Sequence, residues 1–318
     1  VPVTTTIPTT TTTTVPTTAP LTGLPAPDAA KRTRPALVVK IDNVEPARPQ
    51  AGLTSADVVY EEMVESGLTR LAAVFQSGDA DPVGPVRSTR SSDVDIVSAL
   101  NRPLFAYSGG NTRFVALIRA APLVDVGADL QGGAYYRTRA ASPDNLFTHT
   151  PALFALAPPG AAAPAPLFTY RDPATPVAAA GATPVTHVDA HFPASLATWD
   201  WDAASQTYKR AQNGTPDVVQ GGAQIAAANV IIQLTPYDTD GVAAGEGISP
   251  PPPIPRALSV GTGDALILTG GSLVQAHWAK TGPTAITAYT DAGGQPVALT
   301  PGQTWVELVP VGSAVTTR

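Results

Sequence analysis

The chain has 318 residues, 19 Lys+Arg against 25 Asp+Glu (a formal charge of −6 at pH 7), 43% apolar residues and no cysteine. The length suggests two domains, the apolar content excludes wholesale disorder, and the acidic balance, with a pI of about 5.1, argues against a nucleic-acid partner. Without cysteine there is no disulfide scaffold, thiol nucleophile, thiolate zinc site or iron–sulfur cluster, and without an apolar run of about 18 residues no membrane-spanning segment is expected.

Residues 1 to 22 hold twelve Thr and four Pro, and no charge precedes Asp28. Such a stretch buries too little apolar area to offset its conformational entropy, so residues 1–30 read as a disordered stalk of the extracellular, sometimes O-glycosylated kind. No signal peptide precedes Val1, which is expected where an export signal has been removed. A membrane tether through an N-terminal anchor fits the stalk, although no lipid-accepting cysteine is present.

Residues 31–157 read as a mixed-sheet α/β domain with helices, with α+β as the alternative class. Leu37 to Asp42 forms a buried strand. Asp57 to Glu65 and Leu68 to Gln76 form a hairpin about Ser66-Gly67, with Met63 opposite Arg70. Ser92 to Leu100 and Thr112 to Ala121 are helices, the first capped by Ser91 or Ser92, and Leu104 to Ser108 and Leu123 to Gly127 are strands. An Ala/Pro-rich connector follows at 158–184. Residues 185–310 form a smaller, mainly β domain containing all four Trp, with Ser249 to Pro255 as a surface loop and 311–318 as a tail.

Charge points to the first domain. Residues 31–145 hold 13 basic and 13 acidic groups and eleven of the fifteen arginines. Arginine grips carboxylate and phosphate bidentately, so a binding cleft is expected there. On the predicted hairpin, Asp57, Glu61 and Glu65 share a face, with Arg70 diagonal to the two glutamates. Arg87, Ser88 and Arg90 lead into a helix start, where a phosphate or carboxylate is readily held. The alternative for both groups is an internal ion-pair network.

Other constellations carry less. Tyr107-Ser108-Gly109-Gly110-Asn111 lacks the lysine of a P-loop and the third glycine of a dinucleotide fingerprint, so no cofactor is expected. His187, Asp189 and His191 share a strand face, but Cα atoms four residues apart on a strand stand about 13 Å apart, too far for both imidazoles to reach one ion easily, so no metal is expected either. No Gly-x-Ser-x-Gly elbow is present. Asn213-Gly-Thr215 reads as a turn rather than a glycosylation acceptor.

Pro20-Leu-Thr-Gly-Leu24, Ile41-Asp-Asn43, Ala47-Arg-Pro-Gln50, Ala56 to Glu61, Val64-Glu65, Thr69-Arg70, Gly84-Pro-Val-Arg87-Ser88, Gly109-Gly110 and Asp144-Asn-Leu146 form an ordered series. With Ala276 to Lys280 and Leu299 to Trp305, this series resembles the YerB-like family of bacterial envelope lipoproteins. The resemblance implies an exported, membrane-tethered protein of two domains with no assigned reaction. It places Asp42, Asn43, Arg48, Asp57, Glu61, Glu65, Arg70, Arg87, Ser88 and Asn145 in family motifs.

The expected protein is therefore extracytoplasmic and binds a polar or anionic ligand, or an envelope partner, through its first domain. The candidate ligand-binding residues are Asp42, Asn43, Arg48, Glu61, Glu65, Arg70, Arg87, Ser88, Arg90 and Asn145. The alternative is a hydrolase acting on cell-wall glycan or a phosphoester, with Glu61 or Glu65 as acid or base.

Overall fold

The computed structural model describes residues 17–26, 28–243 and 253–318. An 11-stranded sheet runs in the order Ala288–Asp291, Ser272–Lys280, Gly261–Thr269, Asn229–Thr235, Thr304–Pro310, Val58–Met63, Thr69–Phe75, Leu37–Asp42, Leu104–Ala106 and Val124–Asp125. Its remaining strand, Thr183–Pro184, pairs with Ser272–Lys280. Thr304–Pro310 lies between Val58–Met63 and Asn229–Thr235 and runs parallel to both. Strands from before and after the connector thus belong to one sheet, and the fold is of the mixed α/β to α+β class.

Both faces of the sheet are covered, which is why Leu37–Asp42 is buried at every position rather than at alternate ones. One face meets a six-stranded sheet built from His187–Phe192, Ser195–Asp202, Thr207–Gln212 and three short strands. Val39, Ile41, Leu71 and Trp305 there pack with Val188, Phe192, Trp199 and Tyr208. The opposite face carries the helices Ser92–Val97 and Thr112–Ala120, with Ile96, Val97 and Ile118 over Val38, Val74 and Phe105. Asn111 starts the second helix by accepting a hydrogen bond from the Arg113 N–H at 2.9 Å, and Phe114 and Ile118 bury one stripe.

Several local expectations are corrected. Val58–Met63 and Thr69–Phe75 do pair, but residues 64–68 form a five-residue connection containing the Glu65–Gly67 turn. Met63 stands opposite Thr69, and Arg70 opposite Glu62. A one-residue change of register reverses which side chains share a face. Leu71 therefore lies with Glu61, and Arg70 lies with Glu62 and Asp42. Gly67 (φ +71°) fits at the hairpin tip because a Cβ there would stand 2.7 Å from Pro193.

The stalk expectation falls largely on residues 1–16, outside the described residues. Residues 17–26 lie on the body: Leu21 is fully buried and its carbonyl accepts a 2.5 Å hydrogen bond from the Tyr170 hydroxyl. A large apolar side chain with a pocket to enter outweighs the local composition. The expected tail also pairs, Val315–Thr317 lying along His187–Phe192. Of the Pro-rich loop, residues 249–252 lie outside the described residues, while Pro253–Ala257 is a strand paired with Tyr237–Ala243. Helix Ser92–Val97 follows Ser91, but no Ser91 side-chain bond caps it. Instead the Asp93 carboxylate accepts from the Arg90 N–H (2.7 Å) and the Thr89 hydroxyl (2.8 Å).

Candidate anion-binding site

The predicted polar set divides between the two faces of the large sheet, because side chains alternate along a strand. Glu61 and Asn43 point into the interface with the six-stranded sheet. Asp42, Arg70, Arg87, Arg90 and Glu65 gather on the other side, at the end of Leu37–Asp42.

On the interface side, the Glu61 carboxylate is fully buried and accepts hydrogen bonds from Arg210 Nη2 at 2.6 Å and Asn43 Nδ2 at 3.0 Å. Arg210 also meets Asp217 and lies 4.0 Å from Glu307. Its guanidinium stacks 4.9 Å from the centre of the Trp305 ring, and the Trp199 indole donates to Glu307 at 2.9 Å. Burial and the neighbouring Glu61 charge push the Glu307 carboxyl well above its usual range. Glu61 thus sits enclosed between the two sheets, while Glu65 pairs with Arg90 on the other side. Arg48 stands apart, beside Pro49, Gln212 and Asp217 in a surface groove of about 500 Å³, with its Nε buried and without a hydrogen-bond partner.

The other group is built by three segments. Asp42 ends its strand opposite Arg70, on the neighbouring strand. Residues 83–90 run alongside, fixed by the Arg87 N–H to the Lys40 carbonyl at 2.9 Å and the Asp42 N–H to the Pro85 carbonyl at 3.0 Å. The segment before Thr112–Ala120 closes the third side, with Ser108 N–H on the Arg87 carbonyl and Thr89 N–H on the Gly109 carbonyl. Gly110 (φ +149°) brings the chain against Thr89, where a Cβ would lie 3.0 Å from the Thr89 methyl. The glycine pair is thus a packing device beside the arginines.

Within this frame Arg87 bonds the Asp42 carboxylate and lies 3.7 Å from Asp144. Arg90 holds Glu65 through Nε (3.1 Å) and Nη2 (2.7 Å). Arg70 is paired differently. It is 5% exposed, its Nη1 donates to the Ser88 carbonyl at 3.1 Å, its Nε is buried without an acceptor, and its carboxylate neighbour Asp42 stands 4.0 Å away. Burial, and then the charges of Arg90 and Arg87, bring its pKa down to about 10, although Asp42 opposes them. Burial raises the Asp42 carboxyl, but Arg70 and Arg87 outweigh it and hold the acid below its usual range. Glu65 is likewise held down, burial being outweighed by Arg90. Asp144 goes the other way, raised by burial and by Asp42 beside it, with Arg87 opposing.

Of the other candidates, Ser88 contributes its carbonyl, and Asn145 accepts from Arg137 at 2.6 Å rather than from the cluster. Asp57 sits at the far end of its strand, where it caps the 76–77 turn by accepting from the Ser77 N–H at 2.8 Å. Sequence reasoning missed Asp144 as a member, and missed Lys40, whose ammonium is fully buried between Glu62 (2.6 Å) and Asp93 (2.7 Å). The available signal was Lys40 two residues before Asp42 in an otherwise apolar strand, hence on the same face. His187, from the discounted histidine pair, lies between Asp200 (2.6 Å) and Asp189 (3.0 Å).

Two family models match the chain: the N-terminal domain of a protein of unknown function, DUF3048, over residues 21–160, and its C-terminal domain over residues 188–306. A Bacillus subtilis (strain 168) protein named "Putative lipoprotein YerB" is 35% identical over 127 residues, which are 39% of this chain and 38% of that protein. The crystal structure of YerB from Bacillus subtilis superposes with a TM-score of 0.77 at 21% identity, covering 94% of this chain and 99% of that one. The chain belongs to this YerB-like family, which has no assigned function. No helix among the described residues is long and apolar enough to cross a membrane.

Proposed function

We propose that this protein binds an anionic group, a carboxylate or phosphate of a cell-envelope component, at the Arg70–Arg87–Arg90 cluster. The observation that carries the reading is Arg70, a buried guanidinium whose Nε has no acceptor and which feels the charges of two further arginines, Arg90 and Arg87. A buried cation without a close counter-ion is costly, and an arriving anion would remove that cost while replacing Asp144 beside Arg87. The lipoprotein name of the Bacillus subtilis relative supports an envelope location.

Calorimetric titration with glycerol phosphate and with a uronic acid, each against its uncharged parent, tests the reading and separates phosphate from carboxylate. Binding of one charged probe, weakened about tenfold or more in Arg70→Met and Arg87→Ala and strengthened in Asp144→Asn, is the expected result. Absence of saturable binding by the unmodified protein, or affinities indifferent to all three substitutions, would overturn it.

A further inference from the structure

Away from the arginine cluster, a groove of about 460 Å³ lies between segment 166–169 and the edge strand Ala288–Asp291. That volume is within the range of about 300–1,000 Å³ common to small-molecule sites. Leu167, Phe168, Ile286 and Tyr289 form an apolar wall, and the same four residues continue into a narrower recess. The Phe168 and Tyr289 rings stand 6.3 Å apart along it. That recess, of about 20 Å³, is also lined by Tyr60, Ser259 and Lys280.

Polar groups of the recess are incompletely bonded. Ser259 Oγ is buried and has no hydrogen-bond partner among the described residues. The Tyr60 hydroxyl, unlike those of Tyr237 and Tyr289, makes no hydrogen bond to a described residue. Lys280, 4% exposed, donates to the Asp95 carbonyl, while the Asp95 carboxylate turns to Arg256 at 3.3 Å. An ammonium has three donors, so Lys280 retains donors and a charge without a carboxylate partner. Burial brings its pKa down to about 8 against the opposing pull of Asp95. Lys280 is the one cation among the residues lining groove and recess. A single charge with two hydroxyls beside an apolar trough complements a monoanion carried on a hydrocarbon body.

We infer that the groove takes an amphiphile with one carboxylate, seated on Lys280, Ser259 and Tyr60, with its apolar chain along Leu167, Phe168, Ile286 and Tyr289. The inference is independent of the arginine cluster, which shares none of these residues.

The test is equilibrium binding of dodecanoate and of uncharged dodecanol to the full chain below the concentrations at which either aggregates. One saturable dodecanoate site is expected, with dodecanol about tenfold weaker and Lys280→Met weaker by a similar factor. Ser259→Ala, which removes only a hydroxyl, reduces affinity severalfold, and Ile286→Trp, on the exposed rim, blocks the groove; these two keep the test available if Lys280→Met does not fold. Arg87→Ala leaves dodecanoate binding unchanged. Lack of a saturable site overturns the inference, as does equal affinity for acid and alcohol. Loss of dodecanoate binding in Arg87→Ala would place the carboxylate at the arginine cluster and also overturn it.

Discussion

Arg210 and Glu61 meet at 2.6 Å with both side chains fully enclosed, one from each of the two packed sheets. Without Arg210 the buried Glu61 carboxylate keeps only the Asn43 amide, whereas without Glu61 the guanidinium still has Asp217 and Glu307. The pair links the region matched by the N-terminal family model to the region matched by the C-terminal one.

Removing Arg210, which leaves buried carboxylates uncompensated, is therefore expected to cost about 3–5 kcal/mol, and Glu61→Gln, which leaves Arg210 its Asp217 partner, less; chemical denaturation of Arg210→Met and Glu61→Gln reads both. Glu307→Gln is the contrasting case. Its carboxyl is pushed well above the usual range by burial and by Glu61, so an isosteric neutral amide should cost less than about 1 kcal/mol. Equal losses for Glu61→Gln and Glu307→Gln would show that charge is not the reason for the difference.

Asp144 is expected to oppose folding at neutral pH. Its folded-state pKa is raised above the unfolded value of 3.8, so the folded state holds the proton more tightly, and stability falls as pH rises through the window from 3.8 to the raised folded value. Asp144→Asn should melt at a higher temperature than the parent at pH 7. That advantage should vanish below pH 3.8, where both forms are uncharged.

His187 has the opposite chemistry. Burial lowers its pKa, but bonds to Asp200 and Asp189 outweigh burial and raise it above 6.5. The stabilisation is complete below the unfolded value and is lost as pH rises through the folded one. The melting-temperature gap between the parent and His187→Gln should be widest below pH 6.5 and close at higher pH. A gap constant from pH 5 to 9 would mean that the imidazole acts by packing alone.

Leu21 tests how residues 17–26 are attached. It is fully buried with Ala36, Val58 and Leu299 in one cluster. Leu21→Ala should cost about 3 kcal/mol, and proteolysis should then cut within 17–26. An unchanged denaturation midpoint would make this segment an accessory of the fold.

How much of this was legible in sequence depends on the range of the interaction. The strand at 37–42, the helices near 92 and 112 and the Asn213-Gly214 turn follow from local patterns, and the structure places Asn213 (φ +51°) and Gly214 (φ +77°) between the paired Gln212 and Thr215. The hairpin's existence was equally local. Its register was not, because it depends on a five-residue connection whose glycine fits against Pro193, more than a hundred residues away. Slipping that register by one exchanged Glu61 for Glu62 as the neighbour of Arg70 and so divided the predicted site between two faces.

The sequence by itself determined the chain's class, the absence of thiol chemistry, the concentration of arginine in the first half and the family to which the motifs belong. Each of these rests on composition or on residues close together in the chain. Tertiary structure decided that Thr304–Pro310 sits beside Val58–Met63, that Glu61 faces Arg210 and that Arg70 bonds the Ser88 carbonyl beside Asp42. These are pairings across up to about 250 residues, and no local periodicity encodes which strand becomes whose neighbour.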